Sequence, residues 1–250
     1  MRLPSTITDD LAYLSGFILG DGHICVRKDK SEYHIICTGN LLDEQIFYKT
    51  VIIPLFKNLF DIDLKIKIDK SNNTFGVIYY SKELVNYFVN RLGIPSGAKC
   101  SRIKIPEAFK TDEAFTKSLI QGFADADFCL SLKRRNTAVG YYPVIEGASR
   151  SKEIISEVGD FLKIKKIPFY IELDKLKFDK RLNKSIQMSS IYIYGHNNLI
   201  LWMKEIGFRN PKILSKFEIW KKVNANNLRA RFALESIAGD GVSSNHISRF

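Results

Sequence analysis

The sequence predicts an α+β fold built from two pseudo-symmetric repeats, each running α-β-β-α-β-β-α. In this reading the first helix of each repeat packs at a central interface and each repeat carries one antiparallel sheet. Three observations lead there. A short motif occurs twice, as LSGFILGDG at 14–22 and IQGFADADF at 120–128, one small-domain length apart. The same order of alternating and helical segments follows each copy. Finally, each motif places small residues four apart, Gly16 and Gly20 in the first and Gly122 and Ala126 in the second.

The first motif predicts a helix over 11–20, capped by Asp9 or Asp10. Strands are predicted over 22–28 and 32–38. A helix over 42–59 is expected to kink or break at Pro54. Strands over 62–69 and 74–80 meet at the turn Ser71-Asn72-Asn73, and a short helix over 82–92 exits through Gly93 and Pro95. In the stretch 62–69, Ile62, Leu64, Ile66 and Ile68 alternate with Asp63, Lys65, Lys67 and Asp69. One face is therefore oily and packs helices, while the other stays open.

After a linker over 102–112 the order recurs, with strands near 128–133 and 141–147 and a helix near 152–162. Strands follow near 169–177 and 186–194, then a helix near 197–206 that exits through Gly207 and Pro211. The domains expected are 1–108, 109–223 and a C-terminal tail, 224–250, read as a loop or frayed end.

Composition narrows the function. Lys and Arg number 38 against 27 Asp and Glu, a net charge of +11, and the isoelectric point is near 9.4. This points to a polyanion, most simply nucleic acid. No apolar run approaches the roughly 18–20 residues of a membrane span, so no membrane partner is expected. Met1–Asp10 has no long apolar stretch, so an intracellular, non-secreted protein is expected. The four cysteines form no C-x-x-C pair, which disfavours a zinc knuckle and favours reduced, buried thiols. The four histidines show no metal-binding spacing.

Small residues at i,i+4 let helix backbones touch, and the simplest partner for one small face is the other. That contact would bring Asp21 and Asp127 together at two adjacent helix C-termini, a poor place for two carboxylates. Either Asp alone reads as a turn residue. As an equivalent pair they read as oxygen ligands for a divalent cation such as Mg²⁺. The open sheet faces offer Lys65, Lys67, Ser131 and Lys133, with His23, Arg27, His34 and Thr38, as groove contacts.

The paired motifs, the element order and the two exits resemble the LAGLIDADG homing endonucleases in their monomeric, two-repeat form. The resemblance extends from about residue 9 to 222. It implies a site-specific double-strand DNA endonuclease whose sheets form a saddle over DNA. Hydrolysis at a long asymmetric site would leave 3′ overhangs. Asp21 and Asp127 would hold two or three Mg²⁺ ions, with the carbonyls of Gly20 and Ala126 completing the coordination. Mn²⁺ would substitute, and Ca²⁺ would bind without supporting cleavage. Lys99 and Lys212 match the lysines found near the active-site waters. A role as an RNA maturase on a host intron RNA, or as a non-cleaving DNA-binding protein, is the alternative the same fold allows. Two positions depart from the pattern: Leu19 replaces the first acidic residue of the motif, and Phe128 replaces the usual glycine after Asp127.

Overall fold

A computed structural model describes residues 1–134, 141–179 and 183–239, with Cys100 and 226–239 described through their backbone alone. Helix α1 (Asp9–Asp21) leads into β1 (Gly22–Arg27) and β2 (Glu32–Asn40). Then come α2 (Gln45–Phe47), a π-helical turn (Tyr48–Ile52) and α3 (Ile53–Phe60). Strands β3 (Lys65–Asp69) and β4 (Thr74–Tyr80) and helix α4 (Lys82–Asn86), extended by a second π-helical turn (Tyr87–Arg91), complete the first repeat.

The second repeat follows the same order. Helix α5 (Glu113–Asp127) precedes β5 (Phe128–Arg134), β6 (Tyr141–Ser149) and α6 (Lys152–Ile164). Strands β7 (Tyr170–Asp179) and β8 (Lys184–Tyr194) and helix α7 (His196–Glu205) come next, and α8 (Pro211–Gly239) closes the chain's described part. The sheets have strand orders β1-β2-β4-β3 and β5-β6-β8-β7, antiparallel throughout. The predicted α+β repeat architecture is present in both halves.

Several local expectations are corrected. Thr8, not Asp9 or Asp10, caps α1, its hydroxyl accepting from Leu11 N at 3.2 Å. The two aspartates lie in the first turn, where the helix dipole favours them. Pro54 does not break its helix. It sits in the first turn of α3, and the wider hydrogen bonding of the preceding π-turn accommodates the missing N–H. Strand β3 starts at Lys65, and its Ile66 and Ile68 are exposed, whereas Ile62, before the strand, is buried. The segment read as a frayed tail is helical to Gly239; α8 is anchored by the buried Ile213 and Trp220, while 240–250 lie outside the described residues. Cys25 and Cys37 are buried free thiols as expected, but Cys129 is exposed. The linker is not loose: Ile103, Ile105 and Phe109 are buried, and Ile105 N donates to Glu157 Oε2 of α6 at 2.6 Å.

The core is continuous across both repeats, and α1 lies at its centre, with every residue from Leu11 to Leu19 buried. Its contact with α5 is as close as backbones allow. A Cβ on Gly16 would fall on the carbonyl of Leu119 and lie 2.9 Å from Phe123 N. A Cβ on Gly122 would fall on the carbonyl of Tyr13 and lie 3.0 Å from Phe17 N. The two glycines are thus reciprocal across a pseudo-two-fold, and neither tolerates a side chain. Among the described residues, no helix is long and apolar enough to cross a membrane.

Candidate metal centre and nucleic-acid interface

Close packing of α1 and α5 sets where their C-termini lie. A Cβ on Gly20 would collide with the Ala126 methyl and stand 3.2 Å from Asp127 Oδ2, so the Asp127 carboxylate lies against the last turn of α1. Asp21 ends α1 and Asp127 ends α5, each directly before the first strand of its sheet. Asp21 is half-buried and Asp127 reaches solvent. Lost hydration, then repulsion from Asp127 and Glu44, raises the Asp21 carboxyl well above the carboxylate range. Lost hydration also pushes Asp127 up to about 6.

The Lys99 ammonium partly offsets this repulsion. Its Nζ donates to the carbonyls of Ile18, Leu19 and Gly20 at 2.8, 2.7 and 2.7 Å, using all three N–H groups to close the C-terminus of α1. Burial lowers its pKa, against the pull of Asp127, Cys37 and Asp21. Lys99 therefore acts here through charge and through the position of Gly20. The Gly20 carbonyl keeps its second lone pair.

Lys212 does not mirror Lys99. Its Nζ pairs with Asp43 of the first repeat at 2.8 Å on the surface. At the end of α5 it is Asn210 that donates, from Nδ2 to the Asp125 carbonyl at 3.2 Å. The Asp125 carboxylate, which has Leu19 as its counterpart in the first motif, is buried and accepts from Tyr13 Oη (2.5 Å), Arg209 N (2.7 Å) and Asn210 N (3.1 Å). Arg209 lies over the Tyr13 ring at 4.2 Å and reaches Asp10 at 2.7 Å. Desolvation carries Asp125 up to about 6 despite these donors. This network ties the second motif to the start of α1. Nothing in the linear spacing of Tyr13, Asp125 and Arg209 announces it.

The chemistry of the central donor set fits a hard divalent cation. It offers two carboxylates, each raised by its surroundings, at adjoining helix ends, with backbone carbonyls beside them. Phe128 does not intrude. Its ring turns into the core of the second repeat, against Phe123 and Trp202 at centroid distances of 5.8 Å.

Cross-strand register places the expected contact residues on the open sheet faces. His23 opposes Ile36, Arg27 opposes Glu32, and His34 opposes Cys25 and Tyr80. Thr38 and Lys67 both oppose Gly76, and Lys65 opposes Ile78. All six therefore share one face, while Ile24, Ile35, Cys37, Phe75 and Val77 fill the other. Ser131 and Lys133 alternate with the buried Phe128 and Leu130 on β5. Burial lowers the His23 pKa, with further contributions from His34, Lys99 and Arg27.

Sequence reasoning missed the tyrosines of this second face. Tyr192 and Tyr194 stack at 5.8 Å with an interplanar angle of 11°, and Tyr170 lies 6.1 Å from Tyr192. The alternation in Ile191-Tyr192-Ile193-Tyr194 carried the signal. Lys177 on β7 joins them, donating to Ser190 Oγ at 2.9 Å.

No family model matches the sequence, and no curated protein does. Solved structures do match. I-DmoI in complex with DNA and Ca superposes with a TM-score of 0.56 at 20% identity, covering 84% of this chain and 97% of that one. The I-LtrWI LAGLIDADG homing endonuclease bound to target DNA gives 0.54 at 12% identity over 96% and 99% of the two chains. A lysine-to-alanine mutant of I-SmaMI gives 0.57 at 15% identity over the same shares, 96% and 99%. I-DmoI has also been solved with DNA and Mn. The fold of this chain is that of the two-repeat LAGLIDADG homing endonucleases.

Proposed function

We propose that this protein is a divalent-metal-dependent, site-specific DNA endonuclease, acting as a monomer on a long asymmetric site. The observation that carries the reading is the pairing of Asp21 and Asp127 at the touching ends of α1 and α5, each directly before the first strand of its sheet. The DNA complexes of I-DmoI and I-LtrWI, which share the fold, support it.

Asp21 and Asp127, with the carbonyls of Gly20 and Ala126, would hold the cation, for which Mg²⁺ is proposed. Bound there, it would supply Lewis-acid polarisation of a phosphodiester oxygen and a water of lowered pKa. The chain's own residues do the rest. Lys99 holds the end of α1 and tempers the repulsion between the carboxylates. Lys65, Lys67, Lys133 and Arg27 neutralise phosphates or read guanine edges, and His23, His34, Thr38 and Ser131 add polar contacts. In-line attack by water would break the P–O3′ bond of each strand, leaving 3′ overhangs. The two sheets differ in side chains, basic in the first and tyrosine-rich in the second, so the half-sites differ.

The test is cleavage of a randomised-site DNA library with Mg²⁺, and with Ca²⁺ as the non-supporting ion. One asymmetric site cut only in Mg²⁺, with cutting lost in Asp21→Asn and Asp127→Asn while DNA binding persists, establishes the reading. Selective binding without cutting would identify a non-cleaving DNA-binding protein. Double-strand cutting by the double variant would sink the metal assignment.

A further inference from the structure

We propose that the open face of the first sheet carries a second metal site, of the zinc class, formed by Cys25, Glu32 and His34. Each offers one ligand atom, and the three atoms lie within 4.8 Å of one another. The register explains why. Cys25 and His34 are direct cross-strand partners on β1 and β2, and Glu32 sits two residues before His34 on the same face.

Two further features point to a ligand. His34 Nδ1 is buried without a hydrogen-bond partner; the nearest carboxylate oxygen, Glu32 Oε1, stands at 3.4 Å, outside hydrogen-bonding geometry. An orphaned imidazole nitrogen is costly unless something fills its lone pair or takes its proton. The free thiol of Cys25 is also buried, 8% exposed, though it points toward the polar face.

The donor set selects the metal. Thiolate and imidazole suit Zn²⁺ or Co²⁺ and are poor ligands for Mg²⁺, so this site and the Asp21–Asp127 centre would not compete for one ion. Zinc bonds of about 2.0–2.3 Å imply donor separations of about 3.5 Å, so the side chains close by roughly an ångström on binding. Arg27 Nη1 lies 3.3 Å from Glu32 Oε2, which leaves Oε1 for the metal. Binding expels the Cys25 proton, so the site gains one positive charge for each Zn²⁺ taken up. The fourth position is left to water. This site stands on its own geometry and does not depend on the endonuclease reading.

The experiment is titration of the full, untagged chain with Co²⁺ under reducing conditions, followed by absorption spectroscopy. One equivalent should bind with a thiolate-to-metal charge-transfer band. Zn²⁺ should displace it, and a hundredfold excess of Mg²⁺ should not. Cys25→Ser should abolish the band, and Glu32→Gln, a surface change, should weaken binding tenfold or more. Cys129→Ser, on the other sheet, should leave the spectrum unchanged. A folded wild-type chain without the band overturns the site, as does a band that survives Cys25→Ser or disappears with Cys129→Ser. An unchanged affinity in Glu32→Gln also overturns it.

Discussion

The ring of Phe128 occupies the space directly above Gly147, its cross-strand partner on β6. In the first repeat the equivalent pair is Gly22 and Cys37, so the large and small residues have changed strands. Phe128 is thus a compensated core residue rather than an obstruction beside Asp127. Reverting it to glycine should not improve cleavage. It should leave a cavity and cost about 3–5 kcal/mol, as large-to-small aromatic truncations do. Urea denaturation of Phe128→Gly measures this, and a loss below about 1 kcal/mol would contradict the packing. Gly147→Ala should destabilise as well, because its methyl meets the ring.

Gly16 and Gly122 predict a second stability effect. Each sits on a carbonyl of the opposite helix. Gly16→Ala or Gly122→Ala should force α1 and α5 apart, costing at least the roughly 1–3 kcal/mol of an overpacked core. Both should also lose cleavage, because the two carboxylates separate. A double substitution that keeps wild-type stability would refute the reciprocal contact.

The raised carboxyls of Asp21 and Asp127 set a pH dependence. A carboxyl whose folded pKa is raised binds its proton more tightly in the native state. Its contribution to stability is therefore fully present below the unfolded value of 3.8 and is lost as pH rises through the folded value, about 6 for Asp127 and well above the usual range for Asp21. In chelator, Asp21→Asn and Asp127→Asn should melt higher than wild type at pH 8, and the gap should close near pH 4. Mg²⁺ should raise the wild-type melting temperature at pH 8 and leave the double variant unmoved. Thermal scans at both pH values decide this.

Lys99 gives a sharper test of positioning. Lys99→Met removes the donors to three carbonyls at the end of α1. It should cost about 1–2 kcal/mol of stability through the helix terminus and tighten Mg²⁺ binding at pH 8, because the carboxylates lose the ammonium that competes with the metal for their charge. Lys212→Met should do neither, since its ammonium pairs with Asp43 on the surface, away from both motif carboxylates. Equal effects of the two variants on Mg²⁺ affinity would be the contrary result.

Under the proposed function, phosphate contacts by the first sheet would make DNA affinity salt-dependent. Lys65→Ala and Lys67→Ala should each reduce the slope of log K against log salt by about one if the lysine meets a phosphate. Tyr192→Ala should lower affinity without changing that slope. Fluorescence anisotropy across salt concentrations separates the two.

Periodicity and repetition made the architecture legible from residues alone. The double motif, the alternation of Ile62–Asp69 and the glycines four apart all act through local geometry, in which a side chain's direction follows from its position in a helix or strand. They located both sheets, both motif helices and the pairing of Asp21 with Asp127. Contacts across elements were not legible, because they depend on distances that sequence separation does not encode. Lys99 and Lys212 occupy similar exits, yet only Lys99 reaches a helix end. Asp125, Tyr13 and Arg209 meet only once α1, α5 and the Arg209 loop are packed. Cys25, Glu32 and His34 match no linear metal motif and converge only through antiparallel register. Helix and strand patterns are written into the sequence by hydrophobic periodicity; the electrostatics of a site are decided by which charges and carbonyls the tertiary fold brings within a few ångströms and removes from water.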